Sequence, residues 1–179
     1  MLRRISFLLL AAAALMALPK PVSAQVYYGT FGSSSMAYFP TEVSFTYRPQ
    51  PARAQHDSRI DPHLLKAARI AEENAFPRST MRCWRYVKEA LLKSGAVGAY
   101  PATNYACQAG GELTSRYGFV RLAIHDPYRA PVGSVLVYRG GGAGAGHVEI
   151  RTEHGFASDY RSPWRCRYQL IGVYAKFAV

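Results

Sequence analysis

A thiol and an imidazole are the two groups in this chain whose settings favour chemistry. Cys83 stands in MRCWRYVKEALLKSG, residues 81–95, at the front of an amphipathic stretch with helical spacing. At a helix start the aligned peptide dipoles and unpaired N–H groups favour a negative sulfur, and Arg82 and Arg85 add positive charge nearby. The thiolate is the attacking form of cysteine, so the position suits a nucleophile. A buried small hydrophobe or one half of a disulfide would satisfy the same local pattern.

A nucleophile needs a base, and the chain offers five histidines. His56 lies in a polar segment, His63 in the first turn of a helix, His125 in a turn before Asp126 and Pro127, and His154 in the turn TEHG. His147 follows the tract GGGAGAG and opens HVEIR, where a strand would hold its ring firmly at the mouth of a cleft. The glycine tract lacks the Lys-Ser/Thr ending of a phosphate loop and leads into a strand rather than a helix, so a hairpin connection explains it. His147 and Glu149 spell the first half of a zinc deaminase signature whose second half, P-C-x-x-C, is missing. His147, His154 and Asp159 show no recognisable metal-ligand spacing, so neither a metal nor another cofactor is expected.

These groups need elements to hold them. Asp61 and Pro62 suit the cap and first turn of a helix whose apolar stripe is Leu64, Leu65, Ala68 and Ala71. Ser79 or Thr80 would cap a second helix ending near Gly95, with Cys83, Val87, Ala90 and Leu91 on its buried face. A weaker third helix runs through TNYACQAGGELTSRYG, with Ala106, Ala109 and Leu113 on one side, and its glycine pair costs it stability. Beyond Tyr117 the period changes: GFVRLAI, GSVLVYR, HVEIR, FASDY and LIGVYAKF read as strands. Helices first and strands afterwards predict an α+β fold, an antiparallel sheet covered by helices on one side.

The first 24 residues read as an export signal: MLRR, an apolar run, then an exit with Val22 and Ala24 before Gln25. The run is short for a membrane span, and no stable membrane insertion is expected. Removing it with its three cations, Arg3, Arg4 and Lys20, lowers the net charge from +11 to +8. A basic exported protein points to an anionic wall polymer or membrane surface rather than nucleic acid, although charge also simply aids solubility. Residues 25–58, rich in Gly, Ser, Pro and Tyr, read as an arm or linker, and residues 59–179 as one domain. In an oxidising compartment three cysteines leave one over; Cys107 and Cys166 are the candidate bridge and Cys83 the free thiol.

RCWRYVKEALLKSG, APVGSVLVYRGGGAGAGHVEIRTEHGFASDY and LIGVYAKF together resemble the NlpC-type and CHAP-type cysteine peptidases of bacterial cell walls, a papain-like superfamily. The resemblance covers about residues 78–177 and implies helices packed on a five- to six-stranded antiparallel sheet. Carried over by position, Cys83 is the nucleophile and His147 the general base, with Ser134 where that family usually has Asp. The family's spacing from histidine to its orienting residue reaches Asp159. Asp159 shares the face of His147 only if a three-residue loop, Glu153–Gly155, closes the hairpin; with two or four residues Glu149 or Ser158 takes the part. Exposed acids paired with nearby arginines are the plain alternative for both carboxylates.

Trp84, Tyr86, Arg82 and Ser158 are the candidate substrate-binding residues, and Arg82, Arg85, Arg161 and Arg165 would attract peptide carboxylates. The resemblance implies a periplasmic or secreted monomer that cleaves amide bonds of peptidoglycan stem peptides or cross-links through a thioester. A toxin aimed at other cells' walls would share this chemistry. A cell-wall-binding or adhesion module on the same scaffold, without turnover, would share most of the residues.

Overall fold

The computed structural model describes residues 54–140 and 144–178. The export signal, nearly all of the expected arm and residues 141–143 of the glycine tract lie outside the described residues.

Helix α1 spans Pro62–Asn74, α2 Cys83–Ser94 and α3 Ala109–Tyr117. Asp61 caps α1 by accepting from the His63 N–H at 2.8 Å, and Pro62 takes the first position, where a missing N–H costs nothing. Its buried stripe is Leu64, Ala67, Ala68 and Ala71, while Leu65 is half-buried. Helix α2 ends on Gly95 at φ +86°, a left-handed position that glycine adopts without strain. A short 3₁₀ turn, Ala106–Gln108, leads into α3. Gly110 there has a reason beyond its helix cost: a Cβ would collide with the ring of Tyr174, so the missing side chain lets α3 pack onto the sheet.

Six strands complete the described residues: β1 Val120–Leu122, β2 Val135–Tyr138, β3 His147–Arg151, β4 Phe156–Ala157, β5 Arg161–Ser162 and β6 Leu170–Ala175. They form one antiparallel sheet in the order β1-β6-β2-β3-β4-β5. The helices-then-sheet α+β architecture expected from the residue pattern is the one observed. FASDY is not one strand, however. It turns sharply, with Ser158 N–H bonded to Tyr160 O at 2.9 Å, and splits into the ends of β4 and β5.

All four residues of β2 are fully buried, because both faces of the sheet are covered. Val135, Val137, Val148 and Ile150 meet the helices in the main core, with Leu64, Val87, Leu91 and Leu113. Leu136, Tyr138, Phe156 and Val173 form a smaller core on the other face, against which Tyr128, from the 3₁₀ turn Pro127–Arg129, and Cys166, from a loop, pack. Each such side chain contributes about 1.5–3 kcal/mol by leaving water, so both layers matter to stability.

Backbone bridges tie segments outside the regular elements to the domain, among them that of Ile60 to Phe177. Residues 54–58, at the end of the expected arm, reach it through the bridge of Gln55 to Pro131. Phe76 pairs with the β4–β5 connection: its N–H bonds to Asp159 O at 3.0 Å, and Arg161 N–H bonds to Phe76 O at 3.3 Å. The segment leading into α2 is thereby fastened to the sheet. No helix among the described residues is long and apolar enough to cross a membrane.

Candidate active site

Cys83 is the first residue of α2, half-buried and unbridged. Neither Ser79 nor Thr80 caps the helix locally; Arg82 is the cap residue and offers no side-chain hydrogen bond. The acceptor comes instead from the sheet. The buried carboxylate of Asp159 accepts from Thr80 N–H at 2.5 Å, Arg82 N–H at 3.2 Å, and the hydroxyls of Ser79 and Thr80 at 3.0 Å each. Burial by itself pushes this carboxyl up, and the four hydrogen bonds outweigh it, holding Asp159 below the usual carboxylate range. Within this turn Met81 is held at φ +63°, a conformation uncommon for a side chain of its size, and is 91% exposed.

His147 opens β3 and lines the same cavity as Cys83. Its Nε2 lies 3.3 Å from Oε2 of Glu149, two positions along the same strand. The other carboxylate oxygen of Glu149 accepts from the Tyr138 hydroxyl at 2.6 Å and from the Cys166 N–H at 3.4 Å. Burial alone would push the imidazole down. The influence of the nearby Cys83 sulfur, then the hydrogen bond and charge of Glu149, outweigh it and push His147 up to about 10. Burial, reinforced by the Glu149 charge, pushes Tyr138 far up, so its phenol stays a donor. The rings of Tyr138 and Tyr160 flank the imidazole at centroid distances of 6.0 and 6.1 Å.

The approach to His147 depends on glycine. Gly146 sits at φ +76°, and a Cβ there would come within 2.6 Å of Tyr138 O and 2.7 Å of Cys107 N. The tract is held from the side by Cys107, whose N–H bonds to Ala145 O and whose sulfur bonds to Gly144 O, both at 3.1 Å. That arrangement corrects the expected bridge. Cys107 and Cys166 are both free, the first committed to the glycine tract and the second placed beside Glu149. Counting thiols says nothing of where the chain carries them. Burial raises the Cys166 thiol above its ordinary value.

The hairpin parity also resolves. Ile150 pairs with Ala157 and Arg151 with Phe156, and the Thr152 N–H bonds to Gly155 O, leaving a two-residue loop at Glu153 and His154. Strand β4 ends at Ala157, and the turn that follows carries the Asp159 carboxylate to the 79–82 segment rather than to His147. The structure thus brings Glu149 to the imidazole and puts Asp159 under the turn that leads into Cys83. Ser158 is buried, its hydroxyl donating to Asp159 at 3.1 Å. The other histidines sit elsewhere: His63 by Asp61, His154 by Glu72, His56 by Glu153, and His125 exposed. Ser134 is buried in the sheet, and its hydroxyl has no partner among the described residues.

Cys83 and His147 line a cavity of about 1040 Å³. The segment 79–85 forms one wall, and Tyr160, Ser162 and residues 164–168 form another. Of the candidate substrate-binding residues, Arg82 lines it directly. Trp84 backs it but is a buried structural residue, its indole N–H donating to Thr103 O at 3.0 Å. Tyr86 faces away, edge-on to Phe76 at 5.8 Å. Tyr138, the Cys166 N–H and, apart from Arg165, the 164–168 wall had no local signal, since each is brought in by sheet pairing or a loop.

No protein-family model and no curated protein matches the chain. Among solved structures it is similar to the type VI native effector–immunity complex Tae3–Tai3 from Ralstonia pickettii. The match has a TM-score of 0.50 and 23% identity, and covers 64% of this chain and 98% of that one. A selenomethionine form of the same complex matches at 30% identity with a TM-score of 0.43, covering 54% and 80% of the two chains. The three helices packed on a six-stranded antiparallel sheet are an α+β fold similar to that of Tae3.

Proposed function

We propose that this protein is a cysteine hydrolase that cleaves amide bonds in peptidoglycan stem peptides or their cross-links. The observation that carries the reading is one arrangement: Cys83 at the first position of α2 shares a cavity with His147, whose Nε2 faces Glu149. The sulfur, as thiolate beside the imidazolium, attacks the amide carbonyl. The tetrahedral oxyanion is held by the N–H of Cys83, which as a first-turn group has no partner inside the helix. His147 gives its proton to the leaving amine as the C–N bond breaks, leaving a thioester. It then takes a proton from water, whose attack releases the carboxylic acid and restores the thiolate–imidazolium pair.

Glu149 orients the imidazole and stabilises its charged form, the part the third group plays in a triad. Asp159 acts one step further back, fixing the turn that presents the sulfur. Peptidoglycan as the substrate rests on the resemblance of the Cys83, His147 and GSVLVY segments to wall peptidases and on the export signal. Tae3 is a type VI effector solved in complex with the immunity protein Tai3; the proposed chemistry serves attack on another cell's wall as well as remodelling of its own.

Purified peptidoglycan incubated with wild type and with Cys83→Ala, and then mass analysis of released fragments, tests the reading. New amine and carboxyl ends should appear with wild type alone. Identical products from both proteins would overturn it, and wall binding without release would make the protein a binding module.

A further inference from the structure

The cavity wall has a one-sided charge. Four arginines line it, Arg82 and Arg85 from the entrance of α2 and Arg165 and Arg167 from the connection between β5 and β6, and no Asp or Glu among the described residues lines it. The acids nearby are already engaged. Glu149 is buried against His147 and Tyr138, Asp159 is buried under the 79–82 turn, and Glu89 pairs with Arg85 at 3.0 Å. Among the described residues the Arg165 guanidinium bonds to a backbone carbonyl, that of Cys166, at 3.1 Å, and to no carboxylate. Arg82 and Arg167 have no side-chain hydrogen bond or ion pair among the described residues.

Guanidinium forks without acidic partners, placed on two walls around a nucleophile, match planar anions with two oxygens. We propose that the cleft selects peptides bearing free carboxylates beside the scissile amide and discriminates against the same peptides carrying carboxamides. Conversion of a carboxylate to a carboxamide removes the charge and replaces one acceptor oxygen with a donor that faces another donor. The proposal rests on the hydrolase reading for the site's purpose, but its binding preference is measurable without turnover.

The test uses the full chain with Cys83→Ala and two synthetic stem tetrapeptides, one with free α-carboxylates and one with α-carboxamides, titrated by calorimetry. The acid form should bind about ten-fold tighter, the scale of a charge-assisted hydrogen bond. The preference should shrink as salt rises. Arg82→Gln and Arg167→Gln should each weaken the acid form and leave the amide form unchanged. Equal affinity for the two peptides, or binding of neither at millimolar concentration, would overturn the proposal. Incubation of both peptides with wild type reads the other question separately: cleavage of neither, with the acid form still preferred in binding, removes the hydrolase reading and leaves the selectivity standing.

Discussion

The Glu149 carboxylate stands 3.3 Å from Nε2 of His147 on the same strand, and the Tyr138 hydroxyl on the neighbouring strand fixes its other oxygen at 2.6 Å. The pair is built into the sheet, so the imidazole's orientation is set by strand register rather than by a flexible loop.

Glu149→Gln should lower kcat by about 10²-fold, the low end of what positioned acid–base groups contribute. His147 is raised in the folded protein, so the stability and activity that depend on its charged form are present below its unfolded value, near 6.5, and are lost as pH rises through about 10. Removing the negative charge should move that alkaline limb to lower pH. A pH–rate profile of both proteins reads the shift, and an unmoved limb would mean that Glu149 does not hold the imidazole's charge.

Tyr138→Phe deletes the donor and leaves a buried carboxylate oxygen short of a partner. A loss of about 1–3 kcal/mol in urea unfolding is expected, with His147 less firmly held and turnover reduced. An unchanged midpoint would show that water replaces the hydroxyl.

Asp159→Asn should loosen the turn before Cys83. Because this carboxyl is held below its ordinary value, wild type has that stabilisation above about pH 4 and loses it as pH falls through the lower folded value. The variant should be less stable at neutral pH and show a flatter acid limb. Iodoacetamide labelling of Cys83, read by peptide mass mapping, tests the positional part: its rate should fall in the variant while labelling of Cys107 and Cys166 does not.

Gly146→Ala places a methyl against Tyr138 O and Cys107 N at a left-handed position. Strain at such a site costs about 1–3 kcal/mol, and displacement of His147 should reduce activity further. Gly144→Ala, also at positive φ (+71°) but in open space, separates the two effects: it carries backbone strain without the clash.

Much of this fold was readable because the elements obey local rules. Asp61-Pro62 starts α1, Gly95 ends α2, and the change from helical to alternating spacing after Tyr117 marks the sheet. The places of Cys83 and His147, each at an element's first residue, were also legible. The cap of α2 was not, since its acceptor, Asp159, arrives from across the sheet and leaves no trace near Ser79. The choice between Glu149 and Asp159 hung on a single loop residue, because one step of register turns a side chain to the opposite face. The Cys107–Cys166 bridge failed for a related reason: pairing depends on where loops fold back, which thiol number does not encode.

Strand β5 is the sheet's border, only two residues long, and the connection beside it both pairs with Phe76 and supplies Asp159. A border that short frays first. Mild denaturant should therefore unlatch the sulfur's turn while the middle strands stay closed, and catalysis should vanish well ahead of the far-ultraviolet dichroism of the sheet and helices.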